Sequence, residues 1–217
     1  MRKHFDESLE VLNDNIIQMA ELVSVAIRDS VIALRDKNIE LANKVVAGDA
    51  EVNAKEKEIE SMALAILLRE QPVAADLRFV TSALKLITDL ERIGDQASDI
   101  AYLNTKLSKR NYKIEDLGSV TEMTKITMTM VNDAIKAYVT GDADLAIEVV
   151  ERDKEVNALF SKVRREVLDD FKDESFKTKN TLDIFMIAKY LERIGDHAEN
   201  IGRRVYFSLK GQHLDTE

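Results

Sequence analysis

Glu91, Asp95 and Asp99 follow one another at every fourth position, and Glu192, Asp196 and Asn200 do the same later in the chain. On a helix, residues four apart stack on one face, so each triplet is a ladder of oxygen ligands. Leu86, Leu90, Ile93, Ala97 and Ile100 fall on the far side of the first ladder, and Ile187, Leu191, Ile194, Ala198 and Ile201 on the far side of the second. Each apolar stripe therefore faces its own core, and each ladder faces away or across a groove. Stacked carboxylates repel by a few tenths of a kcal/mol per pair, to an order of about 0.5. Arg92 and Arg193, three residues before each Asp, relieve part of this. Both ladders also contain a glycine, Gly94 or Gly195, which costs a helix interior about 1 kcal/mol relative to alanine. Such a residue is kept readily where something must approach the backbone closely.

The preceding segment of each half supplies more oxygens. Asp49 and Asn53 are four apart, as are Asp153 and Asn157. In a hairpin turning at Pro72, Asn53 and Glu91 are equidistant from the turn, and so are Asp49 and Asp95. Equal rise per residue puts each pair at one height on antiparallel helices. In the second half, Asn157 and Glu192, and Asp153 and Asp196, are symmetric about the point between Glu174 and Ser175. Two helices thus offer three carboxylates and an amide at one level, twice, provided that they turn these faces toward each other. Clustered carboxylates and amides without thiolates suit hard cations. The expected cofactors are divalent or trivalent metal ions at two sites: iron, Mn²⁺, Mg²⁺, Ca²⁺ or Zn²⁺. The alternative is a hydrogen-bonded Asp, Asn and Glu network between helices.

The elements that must position these residues are six helices, read from apolar spacing. They run from about His4 to Leu34, Ile39 to Arg69, Pro72 to Ser108, Ser119 or Thr121 to Thr140, Asp142 (as cap) to Phe171, and Thr178 to Leu209. Pro72 is placed in the first turn of the third helix, where proline is tolerated. Leu90-Glu91-Arg92-Ile93-Gly94-Asp95 recurs letter for letter as Leu191-Glu192-Arg193-Ile194-Gly195-Asp196. Upstream, Leu41-Ala42, Val45-Val46, Asp49 and Glu51-Val52-Asn53 match Leu145-Ala146, Val149-Val150, Asp153 and Glu155-Val156-Asn157. The expectation is an all-α protein of two tandem, homologous three-helix bundles, residues 1–110 and 111–217, divided in the polar stretch Lys109 to Gly118. A repeat of this length is too long for a solenoid unit.

Composition agrees. The 217 residues hold one proline, seven glycines and no cysteine, which leaves few turns for a sheet and excludes disulfides and thiolate metal sites. Met1 to Asp6 is charged and no secretory apolar segment follows. The run Met62 to Leu68 is far short of a membrane span. A net charge of −9 disfavours direct contact with nucleic acid and with anionic lipid. Local basic candidates are Lys106, Lys109, Arg110 and Lys113, or Arg203 and Arg204. The histidines are His4, His197 and His213, so no Glu-x-x-His motif of di-iron oxidases exists. Neither a Gly-rich phosphate loop, a Gly-x-Ser-x-Gly elbow nor His-Glu-x-x-His occurs. His197 points away from Asp196, toward a supporting or surface role. Met123, Met128 and Met130 read as core filling.

The doubled Leu-Glu-Arg-Ile-Gly-Asp, the segment Gln71-Pro72-Val73-Ala74-Ala75-Asp76-Leu77-Arg78 and the two Asp-x-x-x-Asn pairs resemble the PhoU family of bacterial phosphate-transport accessory regulators. The resemblance covers nearly the whole chain. It implies a homodimer without catalytic residues, in the cytoplasm and at the inner face of the membrane only through partners. It implies negative regulation of phosphate uptake and of the phosphate-starvation response, by linking the ATPase subunit of the phosphate ABC transporter to a sensor histidine kinase. It also implies metal clusters at Glu91 and Asp95, and at Glu192 and Asp196. Two departures stand out: Lys177-Thr178-Lys179 replaces Asp76-Leu77-Arg78, and Asn200 replaces Asp99. The rival readings are a metal-free helical scaffold and a carboxylate-bridged metalloenzyme or metal store.

Overall fold

The computed structural model describes residues 2–110, 118–170 and 178–214. They form six helices: α1 (Arg2–Asp36), α2 (Ile39–Glu70), α3 (Ala74–Ser108), α4 (Gly118–Thr140), α5 (Ala143–Asp170) and α6 (Thr178–Lys210). No strand occurs among the described residues. The expected turn from Lys172 to Lys177, most of the polar stretch before Gly118, and Lys113 lie outside them.

Local chemistry sets the ends. The Asn38 side chain accepts the Leu41 N–H at 2.9 Å and so caps α2. Asp142 accepts the N–H groups of Asp144 and Leu145 at 3.1 and 3.0 Å and caps α5. Third-helix onset differs from expectation. Gln71 adopts the left-handed conformation that closes α2, Val73 is extended, and α3 starts at Ala74. Pro72 therefore occupies the turn itself. It disfavours helix in Gln71, and the chain needs one more extended residue before it can reverse direction.

Each triplet of helices packs as an antiparallel bundle, α1–α2–α3 and α4–α5–α6, and α3 and α6 also pack on each other. One apolar core runs through all six, with Ile16, Ile59, Ile93, Met123, Val156 and Ile187 among its sealed side chains. Burying a side chain of this size contributes about 1.5–3 kcal/mol. The two stripes opposite the ladders are buried throughout. Met123 and Met130 fill the core, and Met128 packs at its edge. Among the described residues, no helix is long and apolar enough to cross a membrane.

Candidate metal centre

Two close helix crossings bring the acidic residues together. A Cβ on Gly94 would lie 3.1 Å from Val52 Cγ1, and one on Gly195 would lie 3.2 Å from Val156 Cγ1. The glycines thus admit the neighbouring helix, and Val52 and Val156 are equivalent residues of the sequence repeat. Each crossing holds the Asp-x-x-x-Asn pair of one helix over the Glu-x-x-x-Asp pair of the next.

In the first hairpin, Asn53 Nδ2 donates to Asp49 Oδ2 at 3.1 Å. Asp49 Oδ1 and Asn53 Oδ1 stay buried without a hydrogen-bond partner. Burial, then the charge of Asp95, raises the Asp49 carboxyl above the usual carboxylate range, against the Asn53 hydrogen bond; Asp99 adds to the rise. Glu91 is raised by burial and by Asp95, with Glu56 and Asp49 adding and Arg92 opposing. The predicted register therefore brings Asp49, Glu91 and Asp95 within electrostatic reach of one another. Arg92 leans over the ladder, with Nη1 at 3.1 Å from Asp95 Oδ2 and Nε at 3.4 Å from Glu91 Oε2. Asp99 stands at the margin. Burial raises its carboxyl, while a hydrogen bond from Tyr190 and the charge of Arg193, both on α6, lower it. Its partners thus lie across the α3–α6 seam. Arg193, expected to relieve the second ladder, acts on Asp99 of the first.

The second hairpin repeats the pattern with different counter-charges. Asn157 Nδ2 donates to Asp153 Oδ2 at 2.6 Å, and Asp153 Oδ1 is buried with no partner. Burial, Glu199, Asp196 and Glu192 push the Asp153 carboxyl up to about 6. Asp196 is raised by burial and Glu192, with Glu199 adding and Lys189 and His197 opposing. Lys189 donates to Glu192 and lies over the Phe160 ring, 5.2 Å from its centroid. Glu199, which also pairs with Arg203 at 2.7 Å, is a member the ladder reading missed, as is Glu56 in the first half. Both stand three residues beyond a recognised ligand candidate, Asp196 and Asn53, a spacing that shares a helix face as well as four does. Asn200 turns elsewhere and lines a cavity between α3 and α6. His197 Nδ1 lies 3.0 Å from Asp89 Oδ1 on α3, so its role is to tie the two halves.

Among the described residues, no three His, Asp or Glu side chains already enclose one point where an ion would lie. The donor chemistry nonetheless fits a hard cation. The buried Asp49, Asn53 and Asp153 oxygens lack a donor, which costs roughly 1–3 kcal/mol each if nothing satisfies them. The surrounding carboxylates raise one another, and Arg92 and Lys189 offset this only in part. Asp49, Asn53, Glu91 and Asp95 could hold an ion in the first hairpin, and Asp153, Asn157, Glu192 and Asp196 in the second, with Glu199 beside them. An ion held there would share Glu91 and Asp95 with Arg92, and Glu192 with Lys189, since each carboxylate has lone pairs for both.

Comparison with known proteins agrees with this duplicated layout. The PhoU domain family model matches residues 16–103 and again 120–205. The chain is 34% identical over 211 residues to "Phosphate-specific transport system accessory protein PhoU homolog 1" of Thermotoga maritima, covering 97% of this chain and 91% of that protein. A homolog from Zymomonas mobilis is 35% identical over 98% of this chain and 89% of its own length. The crystal structure of PhoU from Pseudomonas aeruginosa superimposes with a TM-score of 0.93 at 34% identity, covering 96% of this chain and all (100%) of that one. The phosphate transport system regulatory protein PhoU from Streptococcus pneumoniae gives 0.89 at 27% identity, covering 98% and 100%.

Proposed function

The chain belongs to the PhoU family, and from that premise we propose that it is a non-enzymatic, metal-binding adaptor that restrains phosphate uptake and the phosphate-starvation response. In this reading it acts as a cytoplasmic homodimer, linking the ATPase subunit of a phosphate ABC transporter to a sensor histidine kinase. The names of its relatives, accessory and regulatory proteins of phosphate transport, support the regulatory role.

One observation carries the metal part: two equivalent carboxylate–amide sets leave buried oxygens unsatisfied at the same step of each repeat. A cation there supplies fixed positive charge. Asp49 and Asn53 present it from α2, and Glu91 and Asp95 from α3; Asp153 and Asn157 with Glu192 and Asp196 do so from α5 and α6. With that charge held between them, these residues would cross-link each hairpin and present a less acidic face for docking. The test is co-purification with either membrane partner. Glu91→Ala, Asp95→Ala is expected to lose the complex, and undiminished complex formation would remove the ladder from docking.

A second reading is a metal-free scaffold. Arg92 and Lys189 already neutralise part of each ladder, and that favours a salt-bridge surface. Its complexes would weaken steeply with salt and ignore chelator. The metalloenzyme or metal-store reading has no Glu-x-x-His to support it.

A further inference from the structure

The surface of this acidic chain contains a cavity walled by cations. It measures about 290 Å³ and lies between α3 and α6. Ser82 and Lys85 line it from α3, and Asn200, Arg203 and Arg204 from α6. Its far wall is Phe207 with His213 stacked on it, ring centroids 4.3 Å apart. Close by, the Arg78 guanidinium packs against Gly211, 3.3 Å from where a Cβ would be, and its Nε is buried without a partner.

The charges do not cancel. Arg204 Nε donates to Asp89 at 2.5 Å, and Arg203 donates through Nε and Nη2 to Glu199 at 2.9 and 2.7 Å. Lys85 is exposed and has no ion-pair partner among the described residues. Three permanent cations, Lys85, Arg203 and Arg204, line the cavity against the two carboxylates of Asp89 and Glu199, in a protein whose net charge is −9. Arg204 meets Asp89 through Nε, and a guanidinium has the planar geometry that binds two oxygens of one anion. Lys85 adds a point charge, and Ser82 and Asn200 add neutral donors. The small volume and the acidic surroundings exclude a long polyanion.

We propose that this cavity binds a small phosphate-type oxyanion, either inorganic phosphate or the terminal phosphate of a monoester. No carboxylate of either set lines the cavity, although Arg203 on its wall pairs with Glu199 beside the second set, and the proposal does not rest on the adaptor reading.

The test is equilibrium dialysis of the full chain against radiolabelled inorganic phosphate, at fixed ionic strength and with chelator present, so that no metal can carry the anion. The expected result is one saturable site per chain. Lys85→Gln should weaken it about tenfold. Asn200→Asp, which places a carboxylate in the cavity, should abolish it, and Lys125→Gln on another surface should leave it unchanged. Thermal melts of each variant establish folding. Competition by glycerol phosphate would assign the site to monoesters, and its failure would assign it to the free ion. Absence of saturable binding, or equal loss in Lys85→Gln and Lys125→Gln, would overturn the proposal.

Discussion

Gly94 lies under Val52 so closely that a methyl group added to it would stand 3.1 Å from Val52 Cγ1. That contact fixes the spacing of α2 and α3, and with it the distance between Asp49 and the Glu91–Asp95 ladder. Alanine would gain about 1 kcal/mol in helix propensity, but overpacking a core costs about 1–3 kcal/mol, and valine is stiff about χ1. Gly94→Ala is therefore expected to lose roughly 1 kcal/mol, about 3 °C in Tm for a chain of this size, and to weaken cation binding at the first set only. Gly202 is the harsher case, because a Cβ there would meet the Ala146 carbonyl oxygen at 2.8 Å. A backbone atom cannot rotate away, so Gly202→Ala should cost roughly 2–3 kcal/mol. Thermal melts that ranked Gly94→Ala below Gly202→Ala would contradict this.

Asp153 gives the metal-free protein an inverted acid response. Its folded carboxyl titrates at about 6, above the value of about 3.9 expected in an unfolded chain. Between these values the folded state holds more protons, so its stability falls as pH rises through the window. The contribution is fully present below about pH 4 and lost above about pH 6. Asp49, Glu91, Asp99 and Asp196 are raised too and act in the same sense. In chelator, Tm should rise as pH drops from 7 to 5, and Asp153→Asn should raise Tm at pH 7 while flattening the trend. In saturating cation the trend should reverse, because protons compete for the ligands. Equal pH profiles with and without metal would count against cation binding by these residues.

The seam between the halves depends on Asp89, which is 4% exposed and held by His197 and Arg204 of α6. Removing one partner of a buried ion pair costs about 3–5 kcal/mol. Arg204→Ala is expected to approach that range in urea unfolding. Tyr190→Phe, which removes a hydrogen bond to the part-buried Asp99, should cost about 1 kcal/mol. Similar losses in the two variants would show that Asp89 is not the anchor.

Much of this was readable from residue spacing. The letter-for-letter repeat announced duplication, and equal distances from Pro72 placed Asp49 beside Asp95. Glycines inside the ladders signalled a close approach, which proved to be Val52 and Val156 of the neighbouring helices. Contacts across α3 and α6 were not legible, because periodicity gives a face but not its occupant. Tyr190 takes Asp99 and draws it to the seam. Glu199 rather than Asn200 joins the second acidic set, since residues three and four beyond Asp196 flank the same face and only packing decides between them. The position of Arg92 over its own ladder is likewise a rotamer choice.

Metal content measured by mass spectrometry, on protein purified without a histidine tag and beside a Glu91→Ala, Glu192→Ala variant, decides whether the two carboxylate sets hold cations. Stoichiometric metal in the parent protein, lost in the variant, is the predicted result. No metal in either protein, or the same metal in both, would contradict it and leave regulation to the helix surfaces alone.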